Sequence, residues 1–241
     1  MTAKDIDQTK QQARERIWSL LEREGAAPPG VAGHIPNFVG ADQAAERLAV
    51  LEAWRAAEVI KTNPDKAQLP VRVRVLHEGK LLYMAVPRLA TPKPFYLLDP
   101  VVLTTPFATA ASSAAAANAA PTIAVDVMRP VDLVVCGSVA VNRQGVRVGK
   151  GEGYSDIEVA LLTEAGLIRP ETVIVTTVHQ LQVVEDELPE IEHDFSVDLI
   201  VTPDEVIRCG PARRPNGIVL SQLSAAKVAE IPVLALFGSG Q

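Results

Sequence analysis

The sequence predicts an α/β protein with a mainly parallel sheet and helices on both faces. Three observations lead there. Short Val- and Ile-rich runs bounded by turn residues alternate with helical patterns along the chain. The stretch Leu133 to Val141 is apolar apart from Gly137 and Ser138, as a strand covered on both faces should be. The 241 residues, 48% of them hydrophobic, are enough to bury a sizeable core, and no internal repeat divides them. A single α/β domain over 1–241 is therefore expected, with a low-complexity alanine-rich segment at 105–120.

Taken in order, Ile6 to Glu24 carries an amphipathic stripe through Ile6, Ala13, Ile17, Leu20 and Leu21 and reads as a helix. Gly25 to Gly33 is a Pro/Gly loop. Asp42 is expected to cap a second helix reaching about Val59. Asn63-Pro64-Asp65 reads as a turn. Val71 to Leu76 alternates Val and Arg in period two, which predicts a strand with one wet face, then a hairpin-like turn at Gly79 and a strand over Leu81 to Val86. Pro87 to Pro100 is irregular, with a short strand possible at Pro94–Leu98. The alanines of 105–120 allow either a surface helix or a linker. Beyond the central strand, a helix stopped by Gly166, strands at Thr172 to Val178 and Val197 to Val201, a short helix at Ser221 to Ala229 and a last strand at Ile231 to Leu236 complete the pattern.

The net charge of −6 argues against a nucleic-acid surface. No run approaches a membrane span and the first residues carry no apolar signal core, so the default location is cytoplasmic. Two cysteines, Cys136 and Cys209, are too few for a disulfide framework or a zinc site.

One stretch carries most of the chemistry. After the central strand, Asn142 to Gly145 is turn chemistry, and Gly149, Gly151 and Gly153 then alternate with Lys150 and Glu152. Glycines at that spacing allow positive φ and close approach of a ligand to the main chain, the makings of an anion nest. Tyr154 follows, and Ser155 with Glu158 gives a Ser-x-x-Glu capping box at the start of an apolar helix. A glycine nest feeding a helix N-terminus suits phosphate, and Arg147 and Lys150 add positive charge. Lys10 and Arg14, four apart on one helix face, repel unless an anion lies between them. The spacing is neither the dinucleotide fingerprint nor the P-loop, and a bare strand-to-helix turn has the same pattern. Farther on, Glu192, His193, Asp194 and Asp198 form an acidic cluster. Asp194 with Asp156 offers two hard oxygen ligands of the kind Mg2+ takes together with substrate phosphates. Capping and helix-dipole roles explain the same carboxylates without a metal.

Two paired motifs resemble the 5-formyltetrahydrofolate cyclo-ligase, or methenyltetrahydrofolate synthetase, family. The first is Gly145-Val-Arg147-Val-Gly149-Lys-Gly151-Glu-Gly153-Tyr154-Ser-Asp156, and the second runs from Pro189 through His193-Asp194 to Asp198, Ile200 and Thr202. Lys10 and Arg14 look like the family's N-terminal Lys-x-x-x-Arg, and His34 to Phe38 with Asn63 to Lys66 looks closer still to the branch of methenyltetrahydrofolate synthetase domain-containing proteins. The resemblance implies the ribose-5-phosphate isomerase/CoA-transferase-like fold. It implies ATP-dependent cyclisation of 5-formyltetrahydrofolate to 5,10-methenyltetrahydrofolate, with release of ADP and phosphate. Lys10, Arg14, Arg147, Gly149, Lys150, Gly151, Glu152, Gly153, Tyr154 and Ser155 would then hold ATP. Arg147 and Lys150 would be catalytic, Asp156 and Asp194 would hold Mg2+, and Glu58, Lys150 and Tyr154 would meet a small-molecule substrate, a reduced folate. Ser155 stands where the family has a second tyrosine, Ile157 where it often has arginine, and Glu58-Val-Ile-Lys-Thr62 alone resembles the folate-contacting Glu stretch while looking like a helix end. The alternatives are an ATP-using relative acting on another metabolite, as in thiamine metabolism, a non-catalytic nucleotide- or folate-binding protein, and, more distantly, a sugar-phosphate isomerase. The sequence assigns no oligomeric state.

Overall fold

The computed structural model describes residues 2–210 and 212–237, without the side chain of Ala3. Helix α1, Ala3–Arg23, opens on a capping box in which Thr2 and Asp5 bond each other's backbone N–H. It packs its stripe of Ala13, Ile17 and Leu21 on a small apolar cluster with Val139, Ala140 and Val148. Helix α2, Ala41–Ala49, starts from Gly40 in the left-handed region, so Asp42 sits inside its first turn and caps nothing. The expected continuous helix to Val59 breaks: α3 is Glu52–Ala56, and strand β1 is Val59–Thr62.

The segment predicted as a wet-faced strand is helix α4, Leu69–His77. Pro70 fits its first turn, where no N–H is needed. Val71, Arg72, Val75 and Leu76 form the buried face, a helical spacing that the Val/Arg alternation hides. Arg72 points inward. Its guanidinium donates to the carbonyls of Ala111 and Asn63 at 2.6 Å and of Asp65 at 2.9 Å. Burial lowers its pKa to about 10, leaving it charged at neutral pH.

Strand β2, Leu81–Ala85, β3, Phe95–Leu98, and β4, Thr122–Ile123, follow. The alanine-rich segment between β3 and β4 is helical, α5 at Phe107–Ala110 and α6 at Ser113–Ala119, with Ala110, Ala111 and Ala116 buried. The long apolar run splits at Gly137-Ser138 into β5, Val131–Cys136, and β6, Ala140–Asn142. β6 pairs with β7, Arg147–Val148, across the turn in which Asn142 accepts the Gly145 N–H. Helix α7, Tyr154–Glu164, leads to β8, Ile168–Thr177, then β9, Val183–Val184, β10, Leu199–Val201, and β11, Val206–Arg208. Helix α8 is Ala225–Glu230, and the expected last strand over Ile231–Leu236 is instead a 3-10 helix from Pro232. A proline inside that run argues against a paired strand.

Eight strands form the main sheet in the order β11-β10-β8-β5-β1-β2-β3-β4. β10, β8, β5, β1 and β2 pair in parallel, and the outer strands pair antiparallel. β7, β6 and β9 make a second sheet. Alternation along β5 sends Leu133 and Val135 into the core under α2 and α4, and Val134 and Cys136 into the core under α7. Helices thus cover both faces, as predicted. No described helix is long and apolar enough to cross a membrane.

Candidate active site

The site lies beyond the carboxyl ends of β1 and β5, where ligands bind in open parallel sheets. The chain leaves β5 at Gly137, crosses into the second sheet, and returns through the glycine turn to α7. Gly153 is the N-cap of α7, in the left-handed region and without a side-chain cap. Ser155 and Glu158 are therefore inside the helix, and the expected capping box is absent. Gly151 has φ +104°, and a Cβ there would lie 3.3 Å from the Arg14 guanidinium carbon. Glycine is needed at 151 for both the backbone angle and the close approach.

Arg14 donates from Nε to the Gly149 carbonyl at 2.8 Å, which docks α1 on the glycine turn. One turn earlier, Lys10 Nζ lies 2.5 Å from Asp194 Oδ2. Asp194 also accepts from the Ile191 N–H at 2.8 Å, which closes its loop on itself. Arg147 is buried. It contacts Asp156 at 3.3 Å, bonds the Gly137 carbonyl and Ser138, and lies over the Phe195 ring at 4.5 Å. Burial acts against the Arg147 charge, but Asp156 first, then Cys136, Asp194 and Glu158, hold its pKa above the ordinary value. Burial raises the pKa of Asp156, and the nearby Asp194 carboxylate adds to that, while Arg147 and Lys10 oppose it. Lys150 pairs with Glu152 at 2.6 Å at the mouth of the cleft.

The structure thus brings together Lys10, Arg14, Arg147, Lys150, Asp156, Asp194 and the turn between them. It does not bring in Glu58, which precedes β1 at the opposite end of the sheet, 80% exposed and paired with Arg129. Asp198 is also apart, at the start of β10, where it pairs with Arg214 and accepts the Ile174 N–H. Tyr154 lines one cleft with Asp65 and Lys150, and donates its hydroxyl to Glu230 under the ammonium of Lys227.

Asn63, Asp65, Arg88 and Glu158, to which sequence reasoning gave no site role, line the cleft. A pocket of about 170 Å3 is walled by Asn63, Asp65 and Arg88 on one side and by Lys150, Ser155 and Glu158 on the other. Asn63 donates to Ser155 Oγ at 2.6 Å, fastening the end of β1 to the first turn of α7. Beneath it the buried ammonium of Lys61 pairs with Glu158. Asp65 sits where the chain leaves β1, and its Oδ2 would lie 3.3 Å from a Cβ at Gly137. Burial raises the pKa of Asp65, against Lys150, Arg72, Lys61 and Arg147. A charged residue inside the apolar runs Val59–Thr62 and Ile157–Leu162 was the available signal for Lys61 and Glu158. Asp65 had none, since Asn-Pro-Asp is ordinary turn chemistry. A larger hollow of about 1040 Å3 lies between α2 and α4, and none of the predicted site residues lines it.

Two carboxylates beside a phosphate-sized turn fit Mg2+, which takes one or two carboxylates plus phosphate oxygens and keeps its other waters. Among the described residues no three His, Cys, Asp or Glu side chains gather as a self-sufficient metal site.

The fold and site define an α/β protein with a cationic glycine turn and an acidic pair at the carboxyl edge of an open, mainly parallel sheet. Residues 6–203 match the 5-formyltetrahydrofolate cyclo-ligase family, and the chain belongs to it. It is 42% identical over 233 residues to the methenyltetrahydrofolate synthase domain-containing protein of Mus musculus, covering 94% of this chain and 62% of that one. It is 38% identical over 240 residues to the Homo sapiens protein of the same name, covering 97% and 62%. The chain therefore spans about 62% of the length of these curated relatives. The solved structure of Aquifex aeolicus 5,10-methenyltetrahydrofolate synthetase shares the fold, with a TM-score of 0.53 at 20% identity, covering 86% of this chain and 93% of that one.

Proposed function

We propose that the chain uses ATP to cyclise 5-formyltetrahydrofolate to 5,10-methenyltetrahydrofolate, releasing ADP and phosphate. The observation that carries this reading is the convergence of Lys10, Arg14, Arg147 and Lys150 on one glycine turn beside Asp156 and Asp194. Phosphoryl transfer calls for positioning and charge neutralisation more than for a protein nucleophile. In this reading Lys10 and Arg14 meet the phosphates from α1, and the residues Gly149 to Ser155 cradle them. Arg147 holds Asp156 in place from below. Lys150 lines both the 170 Å3 cleft and a neighbouring hollow of about 410 Å3 beside His34 and Asp65, so its ammonium stands where the second substrate enters. There it neutralises charge as the formyl oxygen attacks the γ-phosphate and ADP leaves; the neighbouring exocyclic folate nitrogen, N10, then closes on the activated carbon, loses its proton, and phosphate leaves. Asp156 and Asp194 would hold Mg2+, which when bound would neutralise charge on the phosphates.

Asp65 takes the substrate-facing part that the family resemblance assigned to Glu58. Its carboxylate faces the cleft and accepts hydrogen bonds from ring or amine N–H groups of a heterocycle. A second reading, ATP use on a smaller non-folate metabolite, is favoured by the small volume of the cleft, about 170 Å3. The deciding experiment follows methenyltetrahydrofolate absorbance with purified protein, ATP and Mg2+. Product formation supports the folate reading. ATP turnover that folate leaves unchanged and another metabolite stimulates moves the chain to the second reading.

A further inference from the structure

β1 and β2 run parallel with Thr62 opposite Met84, so Pro87 and Arg88 leave the sheet at the same carboxyl edge as Asn63 and Asp65. Arg88 has φ 60° and Leu89 φ 51°, and among the described residues they are the only non-glycine residues at positive φ. Neither side chain eases that region by bonding its own backbone, so the two angles cost free energy that the surrounding fold must offset. Leu89 holds the turn from within. Its side chain is wholly buried in the core beneath α7, and its N–H donates to the Val86 carbonyl at 2.8 Å. What the turn presents outward is an exposed guanidinium on the wall of the cleft.

The other cations of the cleft are already neutralised. Lys150 pairs with Glu152, Arg147 with Asp156, and Lys61 beneath them with Glu158. Arg88 has no ion pair among the described residues. It acts on Glu230 only through space, and that carboxylate is already bonded to the Tyr154 hydroxyl and the Lys227 ammonium.

We propose that Arg88 is a specificity-determining residue that takes a carboxylate of the second substrate. The proposal rests on the folate reading given above and adds what selects the substrate within the cleft. The cleft and the 410 Å3 hollow beside His34 share Ile35, Pro64, Asp65 and Lys150, and Arg88 lines only the cleft. A heterocycle in the hollow, with its N–H edge at Asp65 and its reacting centre at Lys150, therefore extends its remaining part through the cleft toward Arg88. A reduced folate has this make-up, a heterocycle edged with N–H groups and a carboxylate-bearing end. A guanidinium offers two parallel N–H donors to a carboxylate, a geometry that a lysine does not reproduce. The nucleotide phosphates are a poorer match, because Lys10 and Arg14 reach the glycine turn from α1 and neither lines this cleft.

The test measures binding of 5-formyltetrahydrofolate and of its bis-amide, in which both carboxylates are made neutral, to the wild-type chain and to R88Q, R88K and R88G. ATP binding and thermal melts are followed in parallel. The wild type is expected to bind the acid about tenfold more tightly than the bis-amide, the worth of one charge-assisted hydrogen bond near water. R88Q is expected to lose about tenfold for the acid and less than about twofold for the bis-amide and for ATP, with R88K in between. R88G relieves the left-handed backbone, and is expected to lose the same discrimination while melting no lower than the wild type. Equal affinity of the wild type for acid and bis-amide, or parallel losses of both in R88Q, overturns the carboxylate site while leaving the folate reading standing. A loss of ATP affinity in R88Q that matches its loss for the acid assigns Arg88 to phosphate and also overturns it. A wild type that binds neither compound overturns the folate reading, and the carboxylate site with it.

Discussion

Lys10 on α1 and Asp194 in the loop before β10 meet at 2.5 Å, with both side chains nearly withdrawn from water. The sequence alone assigned them to different partners, a phosphate and a cation. In the free protein each is the other's counter-charge; under the proposed function a nucleotide and its cation would replace that one contact with two. Removing one partner leaves a mostly buried charge. K10M and D194N are each expected to cost about 2 kcal/mol, between the values for exposed and fully buried pairs. The double variant should cost less than their sum by at least about 1 kcal/mol. Urea denaturation of the four proteins measures this, and strictly additive losses would show that the two side chains do not act as a unit.

Lys150 differs from Lys10 because its side chain is one-third exposed and its partner, Glu152, is close by in the same turn. K150A is expected to leave thermal stability within about 2 °C of wild type, as surface changes do. ATP affinity should fall about tenfold, measured by calorimetry. Unchanged affinity removes Lys150 from the phosphate site.

Asp65 carries a pH signature. Its ordinary value is 3.8 and burial raises it in the folded chain. The folded state therefore binds this proton more tightly than the unfolded state. Both states hold it below about pH 3.8, and the penalty for ionising it in the cleft grows as pH rises through the folded value. D65N is expected to raise the melting temperature at pH 7 to 8, with the gain vanishing toward pH 3.5, and to abolish turnover. Melts across that range decide it. Equal destabilisation at all pH values would show that the carboxylate is structural.

The Lys61–Glu158 pair is the most buried ion pair of the chain among the described residues. E158Q leaves the Lys61 ammonium under the cleft without its counter-charge and is expected to destabilise by about 3–5 kcal/mol. The variant K61M/E158L removes both charges and is expected to recover most of that loss. Equal instability of the two, by denaturant melts, would place the cost in packing.

The parallel sheet, the glycine turn and the two acidic positions were legible because each depends on local sequence: β-branched runs, positive-φ glycines, and motif spacing. Helix α4 was not, because its Val/Arg alternation satisfies period two while the burial of Arg72 satisfies carbonyls that only the folded chain gathers. The site was half legible for a related reason. Lys10, Arg14, Arg147 and Asp194 lie in recognisable motifs. In the proposed function Asp65 stands in for Glu58, because β1 begins at Val59, which puts Glu58 at one end of the strand and Asp65 just past the end that faces the cleft. Reading Val59–Thr62 as a helix end hid that.

The order of strands in the main sheet divides the chain into two sequential halves. β1 to β4 lie on one side, β5 and the later strands on the other, and the seam is the short parallel register from Ile60↔Leu133 to Thr62↔Val135. Lys10, Arg14 and Asp65 belong to the first half, and Arg147, Lys150, Asp156 and Asp194 to the second. A ligand touching both sets acts as a staple across the seam. Amide exchange of β1 and β5 should therefore slow most when the site is filled. During synthesis the first half must also wait, its β1 edge unpaired, until β5 has been made.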